Sequence, residues 1–99
     1  MVDLQTTDFW EWFVKHCNKL QSLHYDARLL EQLDNAISKW NLVWEIGPGL
    51  IKENSFTISP NGNITLSAFA NYIIKSAPTL DNWEFYSWKQ PKENWYALN

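Results

Sequence analysis

The stretch Leu42-Val43-Trp44-Glu45-Ile46 decides how the rest of the chain is arranged. It alternates with period two, so Leu42, Trp44 and Ile46 fall on one side of an extended strand and Val43 and Glu45 on the other. Two helical patterns precede it, and a turn, a strand, a helix and another strand follow. The reading is a central strand of a small sheet, with one face turned to a core.

Downstream, Gly47-Pro48-Gly49 stops this strand, because proline removes a ladder donor and glycine permits positive φ. Residues 50–54 read as a loop or the flared end of a hairpin. Ser55-Phe56-Thr57-Ile58-Ser59 alternates again, with Phe56 and Ile58 inward. Pro60-Asn61-Gly62-Asn63 is the strongest turn signal in the chain. Asn63 or Thr65 can cap a helix whose apolar side is Leu66, Phe69, Ala70, Ile73, Ile74 and Ala77, and Pro78 marks its end. Trp83-Glu84-Phe85-Tyr86-Ser87-Trp88 is a third strand by alternation and aromatic content. Trp83, Phe85 and Ser87 take one side; Glu84, Tyr86 and Trp88 take the other. After the break at Gln90-Pro91, Trp95-Tyr96-Ala97-Leu98 reads as the start of a further strand.

Upstream, Thr7 or Asp8 can cap a helix, and Asp8 with Glu11 resembles a capping box. Phe9, Phe13, Cys17 and Leu20 form one apolar face of a helix over about 8–23, flanked by Trp10 and Trp12. His24 and Tyr25 interrupt, and Asp26 is the next natural cap. Leu29, Leu33, Ala36, Ile37 and Trp40 give a second amphipathic helix; the two make an antiparallel pair with a tight turn or one kinked continuous helix, and the pair is favoured because each face needs a partner to cover it. The expected fold class is therefore α+β, two-layered, in the order α-α-β-β-α-β. Three helices cover one face of a small, mainly antiparallel sheet with strand order 2-1-3, which places the Leu42 strand in the centre.

Ninety-nine residues make a single domain, whether whole or as the N-terminal part of something longer. Seven tryptophans are more than a core of this size buries, so one or two should be partly exposed. The net charge is −3 and the eight basic residues are scattered, which argues against nucleic acid as a partner. Cys17 is alone, so no internal disulfide forms. No apolar run approaches a membrane span and no signal peptide opens the chain. A cytoplasmic protein is the expectation.

The search for chemistry returns little. His16 and His24 are eight residues apart, too far along one helix to share a metal, and there is no HExxH, CxxC pair or acidic calcium loop. No metal and no cofactor are expected. Cys17 adjoins His16, but helix neighbours do not face each other, so a Cys–His nucleophile is disfavoured. Gly47-Pro48-Gly49 is followed by neither a helix start nor a P-loop lysine pattern, and reads as a turn more than as a phosphate cradle. Glu45 and Glu84 fall on one outer sheet face and could act as an acid/base pair, although polar residues on a solvent face commonly include glutamate.

Phe9-Trp10-Glu11-Trp12-Phe13, Trp44-Glu45-Ile46-Gly47-Pro48, Phe56-Thr57-Ile58-Ser59 and the run from Ala77-Pro78 through Trp83-Glu84-Phe85 carry a resemblance. Together they are similar to a family of small, uncharacterised bacterial proteins with an FWxWF opening and an AP-x-L-x-x-W segment. The similarity covers roughly residues 9–91. It implies lineage only, since the family has no assigned activity, cofactor or catalytic residue.

These readings lead to a non-catalytic interaction module that binds a protein partner or a second copy of itself. Its contact surface is the outer sheet face and the edge of the third strand, with Tyr86 and Trp88 as anchors, Glu45 and Glu84 as polar neighbours, and Trp95 as an extension. The alternatives are a small ligand-, carbohydrate-binding or hydrolase-like domain using Glu45 and Glu84, and an immunity- or antitoxin-type partner protein.

Overall fold

The computed structural model describes residues 4–20, 26–60 and 62–88. The elements are α1 (Leu4–Leu20), α2 (Ala27–Ser38), β1 (Val43–Pro48), β2 (Asn54–Ser59), α3 (Ser67–Lys75, entered through a 3-10 turn at Ile64–Leu66) and β3 (Trp83–Tyr86). His24, Asn61 and the expected strand at 95–98, Trp95 included, lie outside the described residues.

Helix α1 begins one turn earlier than the capping pattern predicted. Asp8 sits inside the helix, not at its start, and Thr6 is already buried. The face of Phe9, Phe13, Cys17 and Leu20 is buried as the spacing requires, and Trp10 joins it. Helix α2 starts where expected: the Asp26 carboxylate accepts the Arg28 N–H at 2.8 Å. It ends through Asn41, whose φ of 59° is the left-handed conformation that asparagine tolerates better than most residues. Leu29, Leu33 and Ile37 form its buried stripe. Asn63 caps the 3-10 turn, with its Oδ1 accepting from the Thr65 N–H at 3.1 Å.

The fold class is α+β, with three helices and a three-stranded mixed sheet among the described residues. The strand order is β1-β2-β3, so β2 and not β1 is central. β1 and β2 form the expected antiparallel hairpin, with Trp44 opposite Ile58 and Ile46 opposite Phe56. β3 pairs directly with β2 in parallel, Phe56 opposite Phe85 and Thr57 opposite Tyr86. Two local causes explain the departure. Pro48 lies within β1, opposite Asn54, and a strand proline lacks a ladder donor and belongs at an edge. The nine-residue α3 also makes a short crossover, which returns the chain beside the strand it left without stepping over β1.

The face register is as predicted. Phe56 and Ile58 are fully buried, Trp83 is buried, and Trp44, Ile46 and Phe85 pack against the same core. The centre is aromatic: Phe13 lies 4.9 Å from Phe56 and 5.1 Å from Trp83, and Trp10 lies 5.2 Å from Phe85. Three indole N–H groups tie the elements together. Trp10 donates to the Ile73 carbonyl at 3.0 Å, Trp12 to Gln32 at 2.9 Å and Trp44 to Asp34 at 3.0 Å. Each ring buries apolar area while its N–H reaches a partner on another element.

Candidate functional site

The outer sheet face carries Val43 and Glu45 from β1, Ser55, Thr57 and Ser59 from β2, and Glu84 and Tyr86 from β3. Thr57 and Ser59 are buried nonetheless, and Thr57 lies between the longer Glu45 and Tyr86 of the two flanking strands. Thr57 therefore does not contribute open surface. Glu45 is opposite Thr57, which is opposite Tyr86, while Glu84 is opposite Ser55. The two glutamates thus sit on the two edge strands with β2 between them, two inter-strand spacings of about 4.8 Å apart or more. The strand order that made them neighbours is not the observed one, and the structure does not bring them together.

Glu84 is instead fully occupied by its own chain. Its Oε2 accepts the Leu50 N–H at 2.6 Å, and its Oε1 accepts the Ile51 and Lys52 N–H groups at 2.9 and 2.5 Å. The Tyr86 hydroxyl donates to Oε2 at 2.6 Å. Three consecutive backbone N–H groups converging on one anion form a nest, and here the anion is a side chain 32 residues further along. The loop after Gly47-Pro48-Gly49 is an anion cradle after all, filled from within.

The electrostatics follow from that geometry. Burial pushes the Glu84 carboxyl upward, but the Lys52 N–H, the Tyr86 hydroxyl and the Leu50 and Ile51 N–H groups together bring it down to about 2. Burial, the bond to Glu84 and the carboxylate's charge raise the Tyr86 phenol to about 12. At neutral pH Glu84 is therefore ionised, with four donors directed at its oxygens. That arrangement orders a loop and leaves no lone pair poised to take a proton from a substrate.

The rest of the loop is built for the same contact. Gly49 donates to the Glu53 carbonyl at 3.2 Å, and the Lys52 ammonium donates to the Leu80 carbonyl at 2.7 Å. A Cβ at Gly49 would collide with the Lys52 carbonyl and lie 2.8 Å from the Glu84 carboxylate, so only glycine lets the loop close on it. At the tip, Leu50 and Ile51 are 64 % and 90 % exposed. Trp88 is 58 % exposed and meets the Tyr86 ring edge-on at 6.3 Å. Leu50, Ile51, Glu84, Tyr86 and Trp88 are thus joined by direct contacts.

Of the residues predicted from sequence, Glu84, Tyr86 and Trp88 belong to this cluster, Glu45 sits across the sheet from it, and Trp95 is outside the described residues. Gly49, Leu50, Ile51 and Lys52 were missed as site residues. Their signal was an aliphatic pair placed directly after a turn, where loop composition favours polar residues. Among the described residues, no group of three or more His, Cys, Asp and Glu could hold a metal ion, and no helix is long and apolar enough to cross a membrane. No family model, no curated protein and no solved structure matches the chain.

Proposed function

We propose that this protein is a non-catalytic interaction module that docks a partner protein through the Leu50-Ile51 loop tip and Trp88. The observation that carries this reading is the combination of two adjacent, strongly exposed aliphatic side chains with a loop pinned at three consecutive N–H groups. A loop fixed before binding loses little conformational entropy on docking, so its apolar area converts more fully into affinity. Aromatic and aliphatic anchors beside a polar rim, here Tyr86 and Glu84, have the make-up of an interface centre. The scattered basic residues argue against nucleic acid as the partner, and a single buried thiol suits a reducing, cytoplasmic setting.

The test places a photo-crosslinking residue at position 51 and, separately, at the exposed position 19 of α1. A discrete adduct at position 51 alone is expected. Once purified, that partner should bind wild-type protein and lose about tenfold or more affinity for a Leu50→Ser/Ile51→Ser variant, as a hot-spot pair implies. Equal labelling at both positions, or unchanged affinity in the double variant, overturns the reading.

A further inference from the structure

Helix α1 carries a second stripe beside its buried face. Thr7, Trp10, Glu11 and Val14 fall at i, i+3, i+4 and i+7, and the stripe runs against the end of α3. The buried Trp10 indole donates to the Ile73 carbonyl at 3.0 Å, so it makes a fixed floor. Above it, exposed Val14 and the half-buried Pro78 line a groove of about 370 Å³. Taking the loop tip as the contact surface, on which this step rests, we infer that its partner is a second copy of this chain. Each Leu50-Ile51 tip seats in the α1/α3 groove of the other copy.

Shape and size favour that occupant. The tip is a convex apolar knob held in place from below, and a knob of that kind needs an apolar concavity. The chain has one of its own, and the exposure of Leu50 and Ile51 shows that the tip does not fill the groove of its own copy. A cavity of about 150 Å³ takes the carbons of one benzene ring. The larger groove therefore has room for two branched aliphatic side chains.

Charge agrees on both flanks. Lys52 and exposed Glu53 follow the tip, while exposed Glu11 lines the groove and exposed Lys75 precedes Ser76 at its rim. Lys52 facing Glu11 and Glu53 facing Lys75 brings unlike charges together in both places. Such rim pairs fix register more than they add affinity.

Placement closes the assembly. The Lys52 ammonium donates to the Leu80 carbonyl at 2.7 Å and the Asn54 N–H to the Asn82 carbonyl at 2.9 Å, so the base of the tip lies on the α3–β3 connection. Ser76 and Pro78 of the groove belong to the same connection. Knob and groove thus share one end of the molecule. A two-fold axis at that end makes the contact twice and leaves none open, whereas knob and groove at opposite ends would build a filament. Two tips in two grooves make a small interface, so a dimer that exchanges at micromolar to millimolar concentration is expected.

Sedimentation velocity of the full chain over that concentration range tests this. A monomer–dimer equilibrium that stops at two copies is expected. Ile51→Glu and Val14→Lys, both at exposed positions, should each weaken it by about tenfold or more, as the loss of an anchor implies. Mixed together, the two variants should associate with nearly wild-type affinity. In that pair the altered tip meets the altered groove with opposite charge, and the other tip and groove are unaltered. Ile64→Ser, at an exposed apolar position on the turn into α3, should leave association unchanged. A monomer at every concentration, growth beyond two copies, a dimer that survives Val14→Lys, or no association of the mixed pair overturns the inference. A monomer whose position 51 still yields one adduct with a different protein keeps the loop tip as a docking surface and removes only the partner named here. With neither dimer nor adduct, both readings fail.

Discussion

Successive residues of β3 do different work. Trp83 and Phe85 point into the aromatic centre and hold the helices to the sheet, whereas Glu84 and Tyr86 point outward and hold a loop. On the inner side the stabilisation comes from area removed from water, is non-directional and depends little on pH. On the outer side it comes from four directional bonds to one charge, and it depends on that charge. The contrast teaches that the fold and the displayed loop are secured by separate means, although alternate residues of one short strand supply both.

Cutting the inner side should have the largest effect. Phe56 is fully buried at the crossing of Phe13, Trp10 and Phe85. Phe56→Ala should cost about 3–5 kcal/mol, read as a shift in the urea midpoint, because the rings around it cannot collapse into the space. Gly49→Ala comes next, at about 1–3 kcal/mol, since the clash is with a backbone carbonyl that cannot rotate away. Its signature should be local: faster amide exchange at residues 50–52 with the β2 amides unchanged. Equal loss of protection in both places would erase the distinction between the two sides.

Glu84→Gln sharpens the distinction through pH. The Glu84 carboxyl lies at about 2 in the folded protein and at the ordinary 4.5 when unfolded. Its contribution is therefore complete above pH 4.5 and is lost as pH falls towards 2. At neutral pH the variant should be about 1–2 kcal/mol less stable, because an amide offers one weaker acceptor where the carboxylate offered two. The gap should close on acidification. Tyr86 works at the other end: its phenol is raised to about 12 from 10, so its share is intact below pH 10 and fades as pH rises through 12. A gap between wild type and Glu84→Gln that is constant from pH 7 to pH 2 would show that the carboxylate's charge does not hold the loop.

Much of the inner side was legible in the sequence and little of the outer. Period-two alternation put Trp83 and Phe85 inside and Glu84 and Tyr86 outside, and helical spacing found the buried faces of α1 and α2. Those patterns record which side of an element meets water, a local property. Strand order depends on which distant strand pairs, and alternation says nothing of that; Pro48 reads in the sequence as the stop of the strand, whereas it lies within β1 and suits an edge. The role of Glu84 was hidden for a different reason. Its partners are backbone N–H groups of Leu50, Ile51 and Lys52, and every sequence carries those donors everywhere. Only the fold shows which of them converge.

The smallest effect on stability is expected at Trp88, and it discriminates best between support and display. The ring lies edge-on to Tyr86, whose hydroxyl holds Glu84. If Trp88 served chiefly to brace Tyr86, its removal would loosen the chain of contacts through Glu84 and quicken exchange at residues 50–52. A side chain 58 % exposed has little area left to stabilise anything beneath it, so Trp88→Ala should stay within about 0.5 kcal/mol of wild type. Exchange at residues 50–52 should be unchanged, while affinity for a loop-tip partner falls. Accelerated exchange with unchanged affinity would move Trp88 from the contact surface to the scaffold and leave Leu50 and Ile51 as the only anchors.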